Sequence, residues 1–359
     1  MMNILDFYST AQKRDELKRI LEVAAQNHPD GLPDFFFEKD LWVTEILRLL
    51  YDENFLGEYA VAFKGGTALS KCWGIIDRFS EDIDLSIHWA DLAEVDDESV
   101  AWEQSTKSRS QRDKFRSQQS QRLTEWSSQL VEKLNQRFES YNIEGLGAEL
   151  VVDSHGEEVN IYFPKVAEGE GVYHLEHVLL EFGGRNRGLP TKEHEIKCYM
   201  ADVEALGALN FPHATVQAYE PSYILWEKLT ALHQFSTMDK EPDTYRLARH
   251  WYDVDRILQK GMVDFQNTKQ AMIDVVEMKK QRWAEKGVDY EAALRGEIKL
   301  IPSAERLSGI ASDHEAAVDG RMFYIHRQPD SFEKIINRIY LAQGKINKDI
   351  MAWARDSFR

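Results

Sequence analysis

The chain is poor in cysteine, in basic residues and in long apolar runs, and each shortage closes a class of function. Two cysteines, Cys72 and Cys198, stand among 359 residues, too few for a disulfide framework or a cysteine metal cluster. No run of about 18 apolar residues occurs, so no membrane span is expected. The opening stretch, MMNILDFYSTAQKRDELKR, lacks the basic-then-apolar layout of an export signal. With two isolated thiols, the expected compartment is the cytoplasm. Lys and Arg number 44 against 61 Asp and Glu, a net charge of −17. A chain built to coat nucleic acid is basic, so a nucleic-acid contact here has to come from a local patch. The acidic excess otherwise repels polyanions. A hydrophobic share of 43% beside 29% charged residues excludes wholesale disorder.

Residues 4–28 and 40–50 read as amphipathic helices, with Asp40 as the N-cap of the second. The apolar run YAVAF (59–63) stops at Lys64-Gly65-Gly66-Thr67, a helix follows to Ile75, and residues 83–87 (IDLSI) alternate as a strand does. Residues 89–140 are rich in Gln, Ser, Glu, Lys and Arg and read as a solvated, partly mobile helical insertion. Four more strands are expected at 148–153, 158–163, 174–182 and 195–202. Helices follow at 222–235, 243–259, 265–285, 303–318 and 331–358. Pro212 and Pro221 bracket a short connection. The expected class is therefore α+β: a mixed sheet with helices over 1–215, carrying the insertion 89–140, then a mostly helical domain over 216–359.

Two features carry chemistry. Gly65-Gly66-Thr67 after a strand lets the backbone turn tightly and aims helix-start amides at an anion such as phosphate. Lys71 lies one turn in. Asp82 and Asp84 stand at i and i+2 of a strand, on one side, while Ile83 and Leu85 enter the core. Two carboxylates that close favour a hard cation such as Mg²⁺. The turn precedes the acidic pair by about one short helix, so the phosphate cradle and the carboxylates meet, as nucleotidyl transfer requires. His174, His177 and His250 do not offer zinc spacing on a clear helix.

The joint pattern resembles the signature of the DNA polymerase-β-like nucleotidyltransferase superfamily. FKGGTALSKCWGIIDRFSEDIDL resembles, more narrowly, the first motif of the AbiEii/AbiGii toxin family. YILWEKLTALH (223–233) is similar to its lysine helix, and YRLARHWYDVD (245–255) to the arginine–aspartate helix that follows. The spacing of Arg282-Trp, Leu300-Ile-Pro302, Met322-Phe323 and Phe332 is similar to one branch of that family. The likeness runs from about residue 36 to 347 and leaves 89–140 unmatched.

The resemblance implies that Asp82 and Asp84 bind the metal and that Gly65, Gly66 and Thr67 form the nucleotide-phosphate turn. It implies that Lys228 touches the triphosphate and that Asp253 is the later acidic residue of the site. Lys71, Ser80 and Arg249 complete the expected nucleotide-binding set. Lys228 lies beside the stripe Leu225, Leu229 and Leu232 and so faces inward, while Arg246, Arg249, His250 and Asp253 share one helix face. A third carboxylate is usual in that superfamily. Glu181 is the choice, at the end of HLEHVLLEF on the face opposite Val178, Leu180 and Phe182, as metal ligand or general base. Asp153 and Glu176 are its rivals.

The implied activity is NMP transfer from an NTP, with Mg²⁺ or Mn²⁺, by the toxin of a toxin–antitoxin or phage-defence pair. A tRNA 3′ end or other RNA is the foremost acceptor, and a separate antitoxin protein is the expected partner. A protein or small-molecule acceptor, or a nucleotide-holding module without turnover, are the alternatives. Lys107, Arg109, Arg112, Lys114, Arg116 and Arg122 form the one locally basic segment, fit to track phosphates.

Overall fold

The fold is described from a computed structural model, over residues 2–168, 175–283 and 285–356. His174 and the start of the strand expected at 174–182 therefore lie outside the described residues. The chain divides into two compact units, Met1–Tyr219 with Gly320–Gln328, and Glu220–Asp319 with Pro329–Arg359.

The first unit is built on a seven-stranded mixed sheet. Its strands are β1 (Val61–Lys64), β2 (Ile83–Ile87), β3 (Gly147–Leu150), β4 (Glu158–Tyr162), β5 (Val178–Gly183), β6 (Thr191–Lys197) and β7 (His213–Tyr219). Their order across the sheet is β3-β4-β5-β2-β1-β7-β6. β2 runs parallel to β5, and β1 parallel to β7; the other pairs are antiparallel. The stretch expected as a connection between Pro212 and Pro221 is thus β7, next to β1 inside the sheet. Its alternating Ala214, Val216 and Ala218 are buried, a strand period that flanking prolines obscure.

Helices α1 (Ala11–Asn27), α2 (Asp34–Tyr51), α3 (Gly65–Lys71), α4 (Trp89–Leu92), α5 (Glu98–Thr106) and α6 (Arg109–Glu139) complete this unit. Helix α2 begins at Asp34, six residues before the expected N-cap. Asp40 is instead buried inside it, accepting a hydrogen bond from the Tyr199 amide at 2.6 Å.

Helix α6 overturns the expectation of a solvated, mobile insertion. Phe115, Gln119, Leu123, Trp126, Leu130, Leu134 and Phe138, three or four residues apart, are all buried. Trp126 meets the Phe182 ring of β5 edge-on at 5.1 Å. The Gln119 amide donates to the carbonyls of Trp89 (3.0 Å) and Gly184 (2.7 Å), and Ser127 donates to Gly156 at 2.7 Å. Each buried leucine contributes roughly 1.5–3 kcal/mol, so this helix is part of the core that carries the sheet. Its polar composition belongs to the other face.

The second unit holds α7 (Pro221–Thr237), α8 (Arg249–Lys260), α9 (Lys269–Arg282), α10 (Ala304–Asp319) and α11 (Phe332–Asp356). Pro221 takes the first helical position of α7, where its missing N–H costs nothing. Trp226 and Trp251 are fully buried, their indole N–H groups donating to Thr268 Oγ1 and the Leu300 carbonyl, each at 2.9 Å. Arg338 of α11 holds Asp255 of α8 through two hydrogen bonds, at 2.8 and 2.7 Å. Among the described residues no helix is long and apolar enough to cross a membrane.

Candidate active site

Strand β1 ends at Lys64 and α3 begins at once with Gly65, whose φ is +72°. A side chain is disfavoured there by conformation and excluded by space, because a Cβ would overlap the Asp84 carboxylate. A Cβ on Gly66 would stand 2.6 Å from both Arg78 Nη2 and Ser80 Oγ. Gly65 is therefore required by the approach of the acidic strand, and Gly66 is crowded by the Arg78 and Ser80 side chains of the loop before it. Thr67 is buried; its hydroxyl donates to the Asp82 carbonyl and lies within hydrogen-bond distance of Ser80 Oγ, at 3.1 Å. The threonine thus ties the turn to the loop that carries Asp82.

On β2, Ile83, Leu85 and Ile87 are buried in the core, and Asp84 takes the opposite face. Register sets its neighbours: Lys64 of β1 pairs with Asp84, Asp84 with Glu181 of β5, and Glu181 with Glu158 of β4. Paired residues in a sheet share a face, so Lys64, Asp84, Glu181 and Glu158 form one row across four strands. Their flanking residues Phe63, Leu85, Phe182 and Val159 are buried on the other side. Glu181 therefore stands beside Asp84. Of its rivals, Asp153 lies in a turn at φ +64°, and Glu176 pairs with Lys165 at 2.9 Å. Sequence reasoning missed Lys64 and Glu158. The alternation of EVNIYF already put Glu158 on the polar side; only the register, which is non-local, puts it beside Glu181.

The loop before β2 is buried although it is charged. Asp77, Arg78, Ser80, Glu81 and Asp82 are each less than a tenth exposed. Glu81 is paired with Lys39 of α2 at 2.6 Å and accepts the Leu175 amide at 3.1 Å. The structure thus brings together Gly65, Gly66, Thr67, Ser80, Asp84 and Glu181, whereas Asp82 lies in the loop just before β2, not on the strand face it was expected to share with Asp84, and meets the turn through its carbonyl. Lys71 stands apart from them: its ammonium pairs with Asp40, donates to the Lys197 carbonyl at 3.0 Å and lies 4.1 Å from the Tyr199 ring centre. Those partners tie α3 to α2 and β6, and they account for the lysine without a ligand.

In the second unit Lys228 of α7 and Asp253 of α8 form a buried ion pair at 2.8 Å. Lys228 lies in the stripe of Leu225, Leu229 and Leu232, all fully buried. Arg249 is the first residue of α8 and is half-buried. The expected four-residue face is shorter by one, because Arg246 precedes the helix with φ +59°. Asp313 of α10 accepts the backbone amides of Arg246 (2.7 Å) and Ala248 (2.8 Å), capping the helix from a distance no local pattern reveals.

The donor set of Asp82, Asp84 and Glu181 is all carboxylate, which suits a hard divalent cation. Among the described residues no three His, Cys, Asp or Glu side chains converge closely enough to hold a metal by themselves. Asp82, Asp84 and Glu181 are thus not arranged as a three-carboxylate metal cluster in this structure.

A family model described as "Nucleotidyl transferase AbiEii toxin, Type IV TA system" matches residues 48–338. Among solved structures the chain is similar to MenT4, a nucleotidyltransferase toxin from Mycobacterium tuberculosis H37Rv. The identity is 13%, with 93% of this chain and 97% of that chain covered, at a TM-score of 0.46. No curated protein matches the chain.

Proposed function

The chain belongs to the AbiEii family of nucleotidyltransferase toxins, and we propose that it transfers NMP from an NTP to the 3′ end of an RNA, a tRNA foremost, in a Mg²⁺-dependent reaction. The observation that carries this reading is the packing of Gly65 against the Asp84 carboxylate with Glu181 alongside. A phosphate turn and a carboxylate pair in contact are what the transfer needs. Asp82 and Asp84 hold the cation, with Mn²⁺ as the alternative ion; when bound it offsets triphosphate charge and polarises the α-phosphate. Gly65, Gly66, Thr67 and Ser80 shape the turn that receives the phosphates. Lys228 and Arg249 supply positive charge to the nucleotide, with Asp253 fixing the Lys228 ammonium. Glu181 accepts the proton of the attacking hydroxyl. The new bond joins that oxygen to the α-phosphorus, and the bond to the β-phosphate oxygen breaks, releasing diphosphate.

Family membership supports an NTP substrate and a toxin–antitoxin context, in which a separate antitoxin chain is the partner and the cytoplasm the compartment. The −17 net charge favours a second reading, a protein or small-molecule acceptor. Incubation of the purified chain with Mg²⁺, each labelled NTP in turn and a whole-cell extract separates the two. Label on RNA is the expected result. Label on protein or on a small molecule selects the second reading, and no label with any NTP overturns both.

A further inference from the structure

The chain returns to the first unit for nine residues, Gly320–Gln328, between two helices of the second. Met322, Phe323 and Tyr324 of this strap are buried. The strap pairs with the charged loop: Phe79 donates its amide to the Met322 carbonyl at 2.7 Å, and Tyr324 donates to the Asp77 carbonyl at 3.2 Å. The two form an antiparallel bridge at Arg78 and Phe323. Arg327 adds an ion pair to Asp77 at 2.7 Å; its own side chain is 59% exposed, that of Asp77 only 5%. The Tyr324 hydroxyl lies 3.2 Å from Ser70 Oγ on α3, the helix that starts at the glycine turn. The strap is itself anchored, with Ile325 donating to the Asp30 carbonyl at 2.8 Å. The Ile325 side chain is packed so closely on Gly31 that a Cβ there would collide with it.

We propose that the strap is a positioning element for the acidic pair, with Met322 acting through Phe79, Arg327 through Asp77, and Tyr324 through Asp77 and Ser70, on Asp82 and Asp84. The loop 75–82 contains neither helix nor strand, so its buried backbone groups depend on partners from elsewhere. The strap supplies one such partner three residues before Asp82 and another five before it. Through Ser70 it also touches the helix whose Thr67 binds the Asp82 carbonyl. One short segment therefore restrains both arms of the site. Groups hydrogen-bonded directly to a metal ligand typically change the metal's affinity by about 10- to 100-fold when removed; the strap acts one step further out, through Asp77, Phe79 and Ser70, so the lower end of that range is the expectation.

This rests on the reading of Asp82 and Asp84 as the cation-holding pair. The test is Mn²⁺ titration of the full-length chain, followed by loss of the free-ion EPR signal, with thermal melting in parallel. Arg327→Ala is expected to weaken Mn²⁺ binding about 10-fold, Arg327→Lys less, and Tyr324→Phe severalfold, with little change in melting temperature. A purely structural strap would lower the melting temperature and leave the affinity of the folded chain alone. Wild-type Mn²⁺ affinity in both Arg327→Ala and Tyr324→Phe overturns the proposal. Asp84→Asn is the control that separates the two readings. If it too binds Mn²⁺ as wild type does, the carboxylate pair is not the cation site, and the strap proposal falls with it. The near-isosteric Tyr324→Phe keeps the test valid should Arg327→Ala fail to fold.

Discussion

The loop from Asp77 to Asp82 and the helix α6 are both made largely of charged and polar residues, and they treat their charges in opposite ways. The loop buries its charged side chains and finds partners for them: Lys39 for Glu81, Arg327 for Asp77. In α6 the apolar residues go inward, and Arg109, Asp113 and Lys114 stay in water. Burying a charge costs several kcal/mol unless it is paired. A fold keeps such a loop where the charges are wanted in one place, whereas solvated charges on a helix cost and contribute little. Composition alone does not separate the two regions; position relative to the sheet does.

The largest expected effect tests the helix. If α6 is core, Trp126→Ala, which removes the ring set against Phe182, should destabilise the first unit by about 3–5 kcal/mol. Urea denaturation measures it. A loss below about 1 kcal/mol, the range of surface changes, would return α6 to the status of a solvated arm.

The next tests the loop and strand. Asp84→Asn keeps the volume beside Gly65 and removes the charge. Transfer should fall by about 10²–10³-fold, equivalent to roughly 2.7–4 kcal/mol of barrier, as for loss of one pre-organised electrostatic group. Stability should change little, because Asp84 stands between Lys64 and Glu181 and loss of its charge removes one attraction and one repulsion. A variant that transfers at the wild-type rate would remove Asp84 from the site.

These two regions also differ in how far the sequence disclosed them. The period of two at 83–87 and the paired glycines at 65–66 are local signals, and the geometry of Gly65 against Asp84 follows from them. Glu181 was legible because its strand alternates. The α6 stripe was legible in principle: Leu123, Trp126, Leu130 and Leu134 keep helical spacing, but the intervening Gln, Ser, Lys and Arg dominate the composition. Other features depend on residues far apart in the chain. They include the partner of Lys71, the cap that Asp313 places on α8, and the bridge of Phe323 to Arg78. Strand β7 was hidden differently, since prolines on both sides mark a connection as readily as a strand's limits.

Glu38 sharpens the contrast from within α2. It neighbours Lys39 in sequence, yet its carboxylate is held by neutral donors: Tyr8 Oη at 2.8 Å and the amides of Val166 and Ala167, each at 2.9 Å. Burial raises its pKa from 4.5 to about 6, against those hydrogen bonds. Between those values the folded chain binds more protons than the unfolded one, so the group's stabilisation is complete below about pH 4.5 and is lost as pH rises through about 6. The loss amounts to about 2 kcal/mol. Denaturation midpoints of wild type and Glu38→Gln at pH 4.5 and 7 should therefore diverge, the variant gaining relative stability at the higher pH. Parallel pH profiles would show that the loop's ion pairs are not needed to keep a charge buried here.

The smallest expected effect on stability falls on the exposed face of α6 and decides whether its charges have a use. The Arg109 side chain is 91% exposed, Lys114 is exposed, Arg116 pairs with Asp113 within the helix, and Arg112 donates to the Thr106 carbonyl at 3.1 Å. Exposed pairs of this kind contribute about 0–1 kcal/mol. Replacing Arg109, Arg112, Lys114 and Arg116 by Gln should shift stability by no more than about 0.5 kcal/mol per site. If this face tracks RNA phosphates, the salt slope of RNA affinity flattens by up to about 0.7 for each phosphate no longer neutralised on a single strand, or about 0.9 on a duplex. Affinity for a non-hydrolysable NTP stays the same, because the phosphate turn at Gly65–Thr67 and Lys228 is untouched. A slope unchanged by removal of these four charges would mean that the basic face only keeps a core helix solvated. The acceptor would then be sought among proteins and small molecules, which an acidic surface does not repel.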